Sequence, residues 1–137
     1  MADWNDFQTY IRTKYPGVKE LQGDQGMFGF EFECKLSPQQ GGAERAQKVL
    51  VSNVGGNWVQ IATIVCQEKD LPPRDALRLN ATLQFGGLAL HESAGVIVLR
   101  HSFPLADFDP SEFDVPLALT AAYGDELERR LTGGDLW

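Results

Sequence analysis

The residues best suited to catalysis or metal binding are two histidines, and the pattern around them predicts that they lie apart. His91 and His101 belong to two strand-like segments that are joined by a turn from Glu92 to Gly95. His91 is next to that turn, and His101 is near the open end of the hairpin. At about 3.3 Å per residue, the two imidazoles are more than about 10 Å apart, too far to share a metal ion or a proton. We expect His101 to be a structural or surface residue.

The acidic and glycine-rich motifs do not predict a site either. Asp107, Asp109 and Asp114 lack the glycine and the terminal glutamate of a calcium loop. The glycine pairs at 55–56 and 86–87 have no Lys-Ser/Thr after them and lie at turns, so they predict no phosphate-binding loop. A serine nucleophile elbow is absent from the sequence. We therefore expect a protein that is not an enzyme, with no catalytic residue, no metal ligand and no cofactor.

The two cysteines have the setting of buried thiols. Cys34 and Cys66 lie far apart inside strand-like segments, and neither belongs to a CxxC motif or to a cluster with metal-ligand spacing. We expect both to be buried and reduced. A disulfide or a redox pair is the alternative.

Length and charge limit the class of protein and its partners. The chain has 137 residues, which is the size of a single domain spanning residues 1–137. Its formal net charge of −7 repels phosphate backbones and anionic lipids, and its basic residues are scattered, so we expect no nucleic-acid partner. The acidic N-terminus has no signal-peptide pattern, and no apolar run is long enough to span a bilayer. These features predict a cytoplasmic protein without a membrane partner.

Hydrophobic periodicity predicts the first half of the fold. Asp3 is a candidate N-cap for a helix whose aromatic and aliphatic residues recur on one face from Trp4 to Tyr15. Residues 28–34 and 45–54 alternate between apolar and polar positions and predict two half-buried strands. Gly55 to Asn57 predicts a hairpin turn into a third strand from Trp58 to Val65.

The third strand is apolar on both of its faces. One face carries Val59, Ile61 and Val65, and the other carries Trp58, Ala62 and Ile64. A strand of this kind is either covered on both faces or keeps one face for a partner.

A middle helix is predicted to start at Asp70 as its cap and to run to about Leu83. Its leucines fall on two edges, which indicates burial on more than one side, either by a second chain or by a tight interior. Asn80 is the unusual residue of this helix. It either fixes the register between subunits or bonds to nearby backbone, and the sequence does not decide between the two.

The last part of the chain predicts a hairpin and a long terminal helix. Asp109-Pro110-Ser111-Glu112 combines an N-cap, a proline at the first position and an acid at the third. Pro116 predicts a kink there or a restart of the helix with Asp114 as a second cap. Gly124 would let the helix lie close against its support. The predicted class is α+β, an antiparallel sheet of about five strands in the order α-β-β-β-α-β-β-α, with helices mostly on one face.

The second half of the chain contains a series of short motifs. They are a Leu-x-x-Asn-like helix (Leu77 to Asn80), a glycine-bearing strand (Phe85 to Leu90), a turn ending at Gly95, a Val/Leu-rich strand (Val96 to Arg100), a Pro-Leu exit (Pro104-Leu105) and an Asp-Pro-x-Glu-Phe-like helix start (Asp109 to Phe113). In these motifs the chain resembles the type III secretion chaperone-like superfamily, which includes the class I (Tir chaperone-type) secretion chaperones and the YbjN-type proteins. The length, the acidic composition and the order of elements are similar throughout the chain.

The resemblance implies a homodimer and a non-enzymatic, chaperone-like function. In the secretion chaperones, hydrophobic patches on helix and sheet bind an extended segment of a client protein. The YbjN-type branch implies instead a regulatory or scaffold protein that contacts a folded partner, and nothing in the sequence separates these branches. A small-molecule-binding domain is a third possibility.

Two sets of residues are predicted to make these contacts. The candidate partner-binding residues are Trp4, Tyr10, Trp58 and Ile64. The candidate dimer contacts are Leu77, Asn80, Leu83 and Phe85.

Overall fold

The protein has an α+β fold in which one antiparallel sheet of six strands carries three helices. The computed structural model describes residues 3–23, 26–36, 45–106 and 108–132. The strands lie side by side in the order β1-β2-β3-β4-β6-β5, and every neighbouring pair is antiparallel. The elements are α1 (Trp4–Lys14), β1 (Lys19–Gly23), β2 (Gly26–Leu36), β3 (Arg45–Val54), β4 (Trp58–Gln67), a 3-10 turn (Glu68–Asp70), α2 (Pro73–Asn80), β5 (Gly87–His91), β6 (Val96–Pro104) and α3 (Ser111–Thr132).

The α+β class and the general order of elements are confirmed, but the expected number of strands was too low. The additional strand is β1, which pairs with β2 at one edge of the sheet. Its sequence, KELQG, contains a single apolar residue, so it shows no alternation. An edge strand needs little apolar surface because it packs against one neighbour only.

All three helices contribute to two hydrophobic clusters on the same face of the sheet, which we call the covered face. In the first cluster, Phe7 and Ile11 of α1 and Phe113 of α3 pack on the inward side chains of β2, β3, β4 and β6. The aromatic rings of Phe7 and Phe113 meet edge to face, with centroids 5.2 Å apart. The predicted stripe of α1 and the inward residues of β2 and β3 therefore form the core.

The second cluster lies under α2 and the C-terminal half of α3. Here Leu127 of α3 and Leu71 before α2 pack on Val65, Cys66 and Leu99. A bulge in β4 between Ile64 and Cys66 turns both Val65 and Cys66 toward the helices.

Two predicted helix starts are confirmed, and one predicted cap is wrong. The Asp3 carboxylate accepts from the N–H of Asp6, and the Asp109 carboxylate accepts from the N–H of Ser111. Asp114 does not begin a second helix, because α3 runs without a break from Ser111 through Pro116 to Thr132.

The predicted bounds of the middle helix are also wrong. Asp70 lies in the 3-10 turn and does not cap α2, whose N-cap residue is Pro72. The helix ends at Asn80, so Leu83 lies beyond it. No residue of α2 is fully buried within the chain, and 69% of Leu77 is exposed, so the helix does not lie in a tight interior. Burial by a second chain, the other alternative, stays a prediction.

Candidate binding surface on the open face of the sheet

The second face of the sheet carries none of the three helices, and we call it the open face. Side chains alternate along each strand, so every second residue points to this face. On β4 these are Trp58, Gln60, Ala62 and Ile64, while Val59, Ile61 and Thr63 point to the covered face and are buried. The predicted two-sided character of this strand is confirmed.

The neighbouring strands add further apolar residues to the open face. Leu50 lies beside Ala62, and Val98 lies beside Ile64, so the four side chains form a continuous patch. Leu50 is 38% exposed and Trp58 is 48% exposed, large fractions for such side chains in the middle of a sheet. A polar row of Ser52, Gln60 and Ser102 separates this patch from Trp58.

The apolar patch lines a groove of about 420 Å³. Leu50, Ile64, Val96 and Val98 belong to its lining, and Leu21 of the first strand lines it as well. Further lining residues are Lys48, Val51, Ser52, Gln60, Ala62, Thr63, His91 and Ala94. The groove is thus an apolar surface with polar and cationic groups among its lining residues.

The charge of the open face differs from that of the chain. The strand registers place four cations and two anions on this face, although the chain has a net charge of −7. These residues are Lys19, Lys35, Lys48 and Arg100 against Glu31 and Glu33. Among these six residues, Lys19 and Glu31 are the pair that approaches within ion-pair distance in the part of the chain that the structure describes, at 3.7 Å.

The two edges of the sheet are less available than its face. At the β5 edge, the Asn80 side chain takes the place of a neighbouring strand: its Oδ1 accepts from the N–H of Leu88 at 2.6 Å, and its Nδ2 donates to the Leu88 carbonyl at 3.5 Å. At the opposite edge, β1 is five residues long, begins with two charged residues and changes register between Leu21 and Gln22. Short, charged and irregular edges disfavour the addition of another strand.

The four candidate partner-binding residues do not form one surface. Trp58 and Ile64 lie on the open face, about 20 Å apart along β4, and Ile64 lines the groove. Trp4 and Tyr10 belong to α1 and pack against the first cluster on the covered side. The Trp4 ring stacks on Phe7 at 5.3 Å.

Three of the four candidate dimer contacts have partners within the chain. Asn80 bonds to Leu88 as described, which is the nearby-backbone alternative that the sequence left open. Leu83 packs against the second cluster, and the Phe85 ring stacks on His101 at 4.9 Å. Leu77 is the member that projects into solvent.

The sequence interpretation passed over most of the groove. Leu50, Val96, Val98 and Leu21 were not among the candidates, although a signal for the first three is present. Leu50 stands between the inward-facing Val49 and Val51, and VIVL at 96–99 is apolar at every position. Both patterns indicate apolar residues on two faces.

Asp114, a titratable residue that could take part in chemistry, is bonded to neighbouring side chains. Asp114 accepts hydrogen bonds from the hydroxyls of Tyr10 and Tyr15, both at 2.6 Å, and from the Lys14 ammonium group. Burial raises the pKa of this carboxyl, but the three hydrogen bonds outweigh that effect and leave the pKa below its ordinary value. Asp114 therefore joins α1 to α3 as a carboxylate.

Cys66 is buried as expected, whereas Cys34 and His101 are half-buried. Cys34 and Cys66 are both free, and burial raises the pKa of Cys34 to about 11 and also raises the pKa of Cys66. At neutral pH such thiols are protonated and weakly nucleophilic. Burial lowers the pKa of His101, which keeps its imidazole neutral beside Phe85.

A second cleft lies between α3 and the ends of β2 and β3, with a volume of about 770 Å³. It is lined by Tyr15, Arg45, Asp114 and Asp125 among others, and Arg45 and Asp125 form an ion pair at 3.0 Å. Across residues 3–23, 26–36, 45–106 and 108–132, no group of three or more His, Cys, Asp or Glu side chains could hold a metal ion. Asp107 lies outside these residues.

Neither the protein-family models nor the curated proteins contain a match to this chain. Within the part of the chain that the structure describes, no helix has the length and apolar character needed to cross a membrane.

Proposed function

We propose that the chain is a non-enzymatic protein-binding module, chaperone-like in its action, which takes up a segment of another polypeptide on the open face of its sheet. One observation carries the proposal, namely the apolar groove in which Leu50 is 38% exposed and Ile64 is partly accessible, with the buried Val98 at its floor, on a sheet whose other face is packed. Large contiguous apolar patches are rare on the surface of monomeric proteins, and those that occur mark interaction sites. The resemblance to secretion chaperones supports the same class of function.

The state of the edges favours the face of the sheet as the site of uptake. The resemblance implied that the partner is an extended segment. Extended segments commonly bind by adding a strand to the exposed edge of a sheet. Asn80 occupies the backbone groups of Leu88 at the β5 edge, and β1 presents a short, charged and irregular edge. Contact through side chains on the open face is therefore the better supported mode.

The experiment that tests the proposal is site-specific photo-crosslinking in cells. A crosslinking amino acid at position 64 lies in the groove, and one at position 115 lies on the exposed side of α3, where 57% of Val115 is accessible. We expect a protein crosslinked at 64 and not at 115, with the crosslink mapped to one short segment. That segment, made as a peptide, should bind the native chain and the Val115→Glu variant equally but lose at least about tenfold in affinity for Ile64→Glu.

A segment that binds Ile64→Glu as well as the native chain would refute the proposal. Crosslinks spread over several distant segments of one folded protein would instead favour the regulatory or scaffold alternative. Thermal melts of the three proteins serve as the control for folding.

We propose further that the protein acts as a homodimer through α2. The support is Leu77, which is 69% exposed on a helix with no fully buried residue. Light scattering behind size exclusion should give a mass near twice 15.2 kDa, and Leu77→Glu should lower it to that of one chain while Val115→Glu does not. A native mass of 15.2 kDa at micromolar concentration contradicts the dimer.

A further inference from the structure

The open face supplies side chains to a partner but few backbone hydrogen bonds. The N–H and C=O groups of its strands are hydrogen-bonded to one another within the sheet, and Asn80 bonds to those of Leu88 at the β5 edge. A segment lying across this face must therefore satisfy its own peptide groups. A helix does so internally, whereas an extended chain on the same surface relies on water.

The dimensions of the groove also suit a helix. Its floor is formed by Leu50 of β3, Ala62 and Ile64 of β4, and Val98 of β6. Three adjacent strands at about 4.8 Å spacing are about 10 Å wide, close to the diameter of a helix with side chains. Leu21 lies to one side of this floor, and Ala94 of the β5–β6 turn lies to the other.

The charges around the groove indicate the composition of that helix. Lys48 lines the groove, and Arg100 lies beside Ala62 at its margin, so both cations are within reach of a bound segment. Neither forms an ion pair within the described residues. In the β2–β3 register Glu33 lies opposite Lys48 and Glu31 lies opposite Leu50, but neither carboxylate lines the groove. The open face as a whole carries four cations against two anions, and this local excess of positive charge favours acidic partners over basic ones.

We infer that the segment taken up on the open face is an amphipathic helix with acidic residues beside its apolar stripe. The inference rests on the proposed function and adds the chemical class of the partner. The apolar stripe contacts Leu50, Ile64 and Val98, and the acidic residues contact Lys48 and Arg100.

Three synthetic peptides of about 14 residues test the inference by fluorescence anisotropy against the full chain. All three carry leucines at i, i+3, i+4, i+7 and i+11. The first has glutamates beside the stripe and the second has lysines there, while the third is the glutamate peptide with two central prolines that prevent a helix. We expect the glutamate peptide to bind about tenfold more tightly than either of the others at low ionic strength. Its advantage over the lysine peptide should shrink as salt is added, because salt screens the contacts between charges.

Charge reversal of the protein provides the matched control. Lys48→Glu combined with Arg100→Glu should reverse the preference between the glutamate and lysine peptides. Lys69→Glu combined with Arg130→Glu changes the net charge equally at exposed positions outside the open face and should leave the preference unchanged.

The outcomes separate this inference from the function on which it rests. Equal binding of the acidic and basic peptides, lost in Ile64→Glu, overturns the inference and leaves the proposed function standing. Equal binding of the proline peptide overturns the helical form of the partner. If no peptide binds, the inference is overturned as well, and crosslinking at position 64 then decides the proposed function.

Discussion

The two faces of the sheet use similar side chains for different purposes. On the covered face, Ile61 and Val59 of β4 are fully buried beneath the helices. On the open face, Ile64 of the same strand lines the groove and Trp58 lies beyond the polar row, and both remain accessible. The same residue types are thus buried under helices on one side and accessible on the other. The comparison makes the open face the region where substitutions should affect binding more than stability.

The sharpest test of this comparison is a matched pair of substitutions in one strand. Ile61→Ala leaves a cavity in the first cluster and should lower the free energy of unfolding by about 2–5 kcal/mol. Ile64→Ala removes the same atoms from a half-buried position that no helix covers, so the loss should stay below about 1.5 kcal/mol. Urea unfolding measures both. Equal losses would mean that the open face contributes to the fold as much as the covered one.

The close contact between α3 and the sheet gives a second test. A Cβ atom at Gly124 would lie 2.3 Å from Cγ2 of Thr63, so Gly124→Ala should force the helix outward and cost about 1–3 kcal/mol of unfolding free energy. The predicted close approach at this glycine is therefore confirmed.

A second substitution identifies the cause of that loss. Thr63→Ser removes the clashing methyl group but keeps the hydroxyl that donates to the Lys48 carbonyl and accepts from Gln47. Combining it with Gly124→Ala should recover most of the stability, as measured by urea unfolding. An additive loss in the double variant would show that the helical glycine matters for another reason.

Periodicity was enough to predict the covered face, because its signal is repeated along several elements. Phe7 and Ile11 of α1, Val49 and Val51 of β3 and the inward residues of β4 all fall where the spacing predicts. The caps at Asp3 and Asp109 were predictable because capping depends on residues close in sequence.

The features that sequence reasoning missed depend on contacts between distant residues. Asn80 bonds to a strand eight positions later, and nothing in the sequence distinguishes this from a contact between subunits. Trp4 and Tyr10 lie at the margin of the α1 stripe, where spacing alone does not tell whether a ring packs inward. The groove depends on the strand order, which places Leu50 beside Ala62 and Ile64 beside Val98.

The edge of β5 offers a third test. Asn80 bonds to this edge, so its removal shows whether association with another chain can occur at the edge as well as on the open face. Asn80→Ala removes both hydrogen bonds to Leu88 and should cost about 1 kcal/mol of unfolding free energy. It also frees an edge that can pair with another chain. We expect the average mass of Asn80→Ala, measured by light scattering, to rise more steeply with protein concentration than that of the native protein.

Gln84→Ala is the control for this substitution, since Gln84 is exposed in the connection between α2 and β5. It should change neither stability nor mass. If the mass of Asn80→Ala depends on concentration as that of the native protein does, the short length of β5, and not Asn80, prevents pairing at this edge.

The smallest expected effect concerns the pH dependence of the contact between α1 and α3. The pKa of Asp114 is depressed in the folded protein, so its carboxylate stabilises the fold above its unfolded pKa of about 3.9. This stabilisation is lost as the pH falls through the lower folded pKa. Asp114→Asn should therefore be less stable than the native chain at pH 7, by less than about 1 kcal/mol since the group is partly accessible. The difference should narrow as the pH falls below the unfolded pKa and through the lower folded pKa.

Chemical unfolding at several pH values measures that difference, with Asp75→Asn on exposed α2 as the matched control. The control removes one carboxylate from an exposed position and should be as stable as the native chain at pH 7. Because Asp114 lies on the covered side, its substitution should also leave binding at the groove unchanged. A loss of peptide binding in Asp114→Asn without loss of fold would mean that the helices and the open face are coupled, and that the two faces do not act independently.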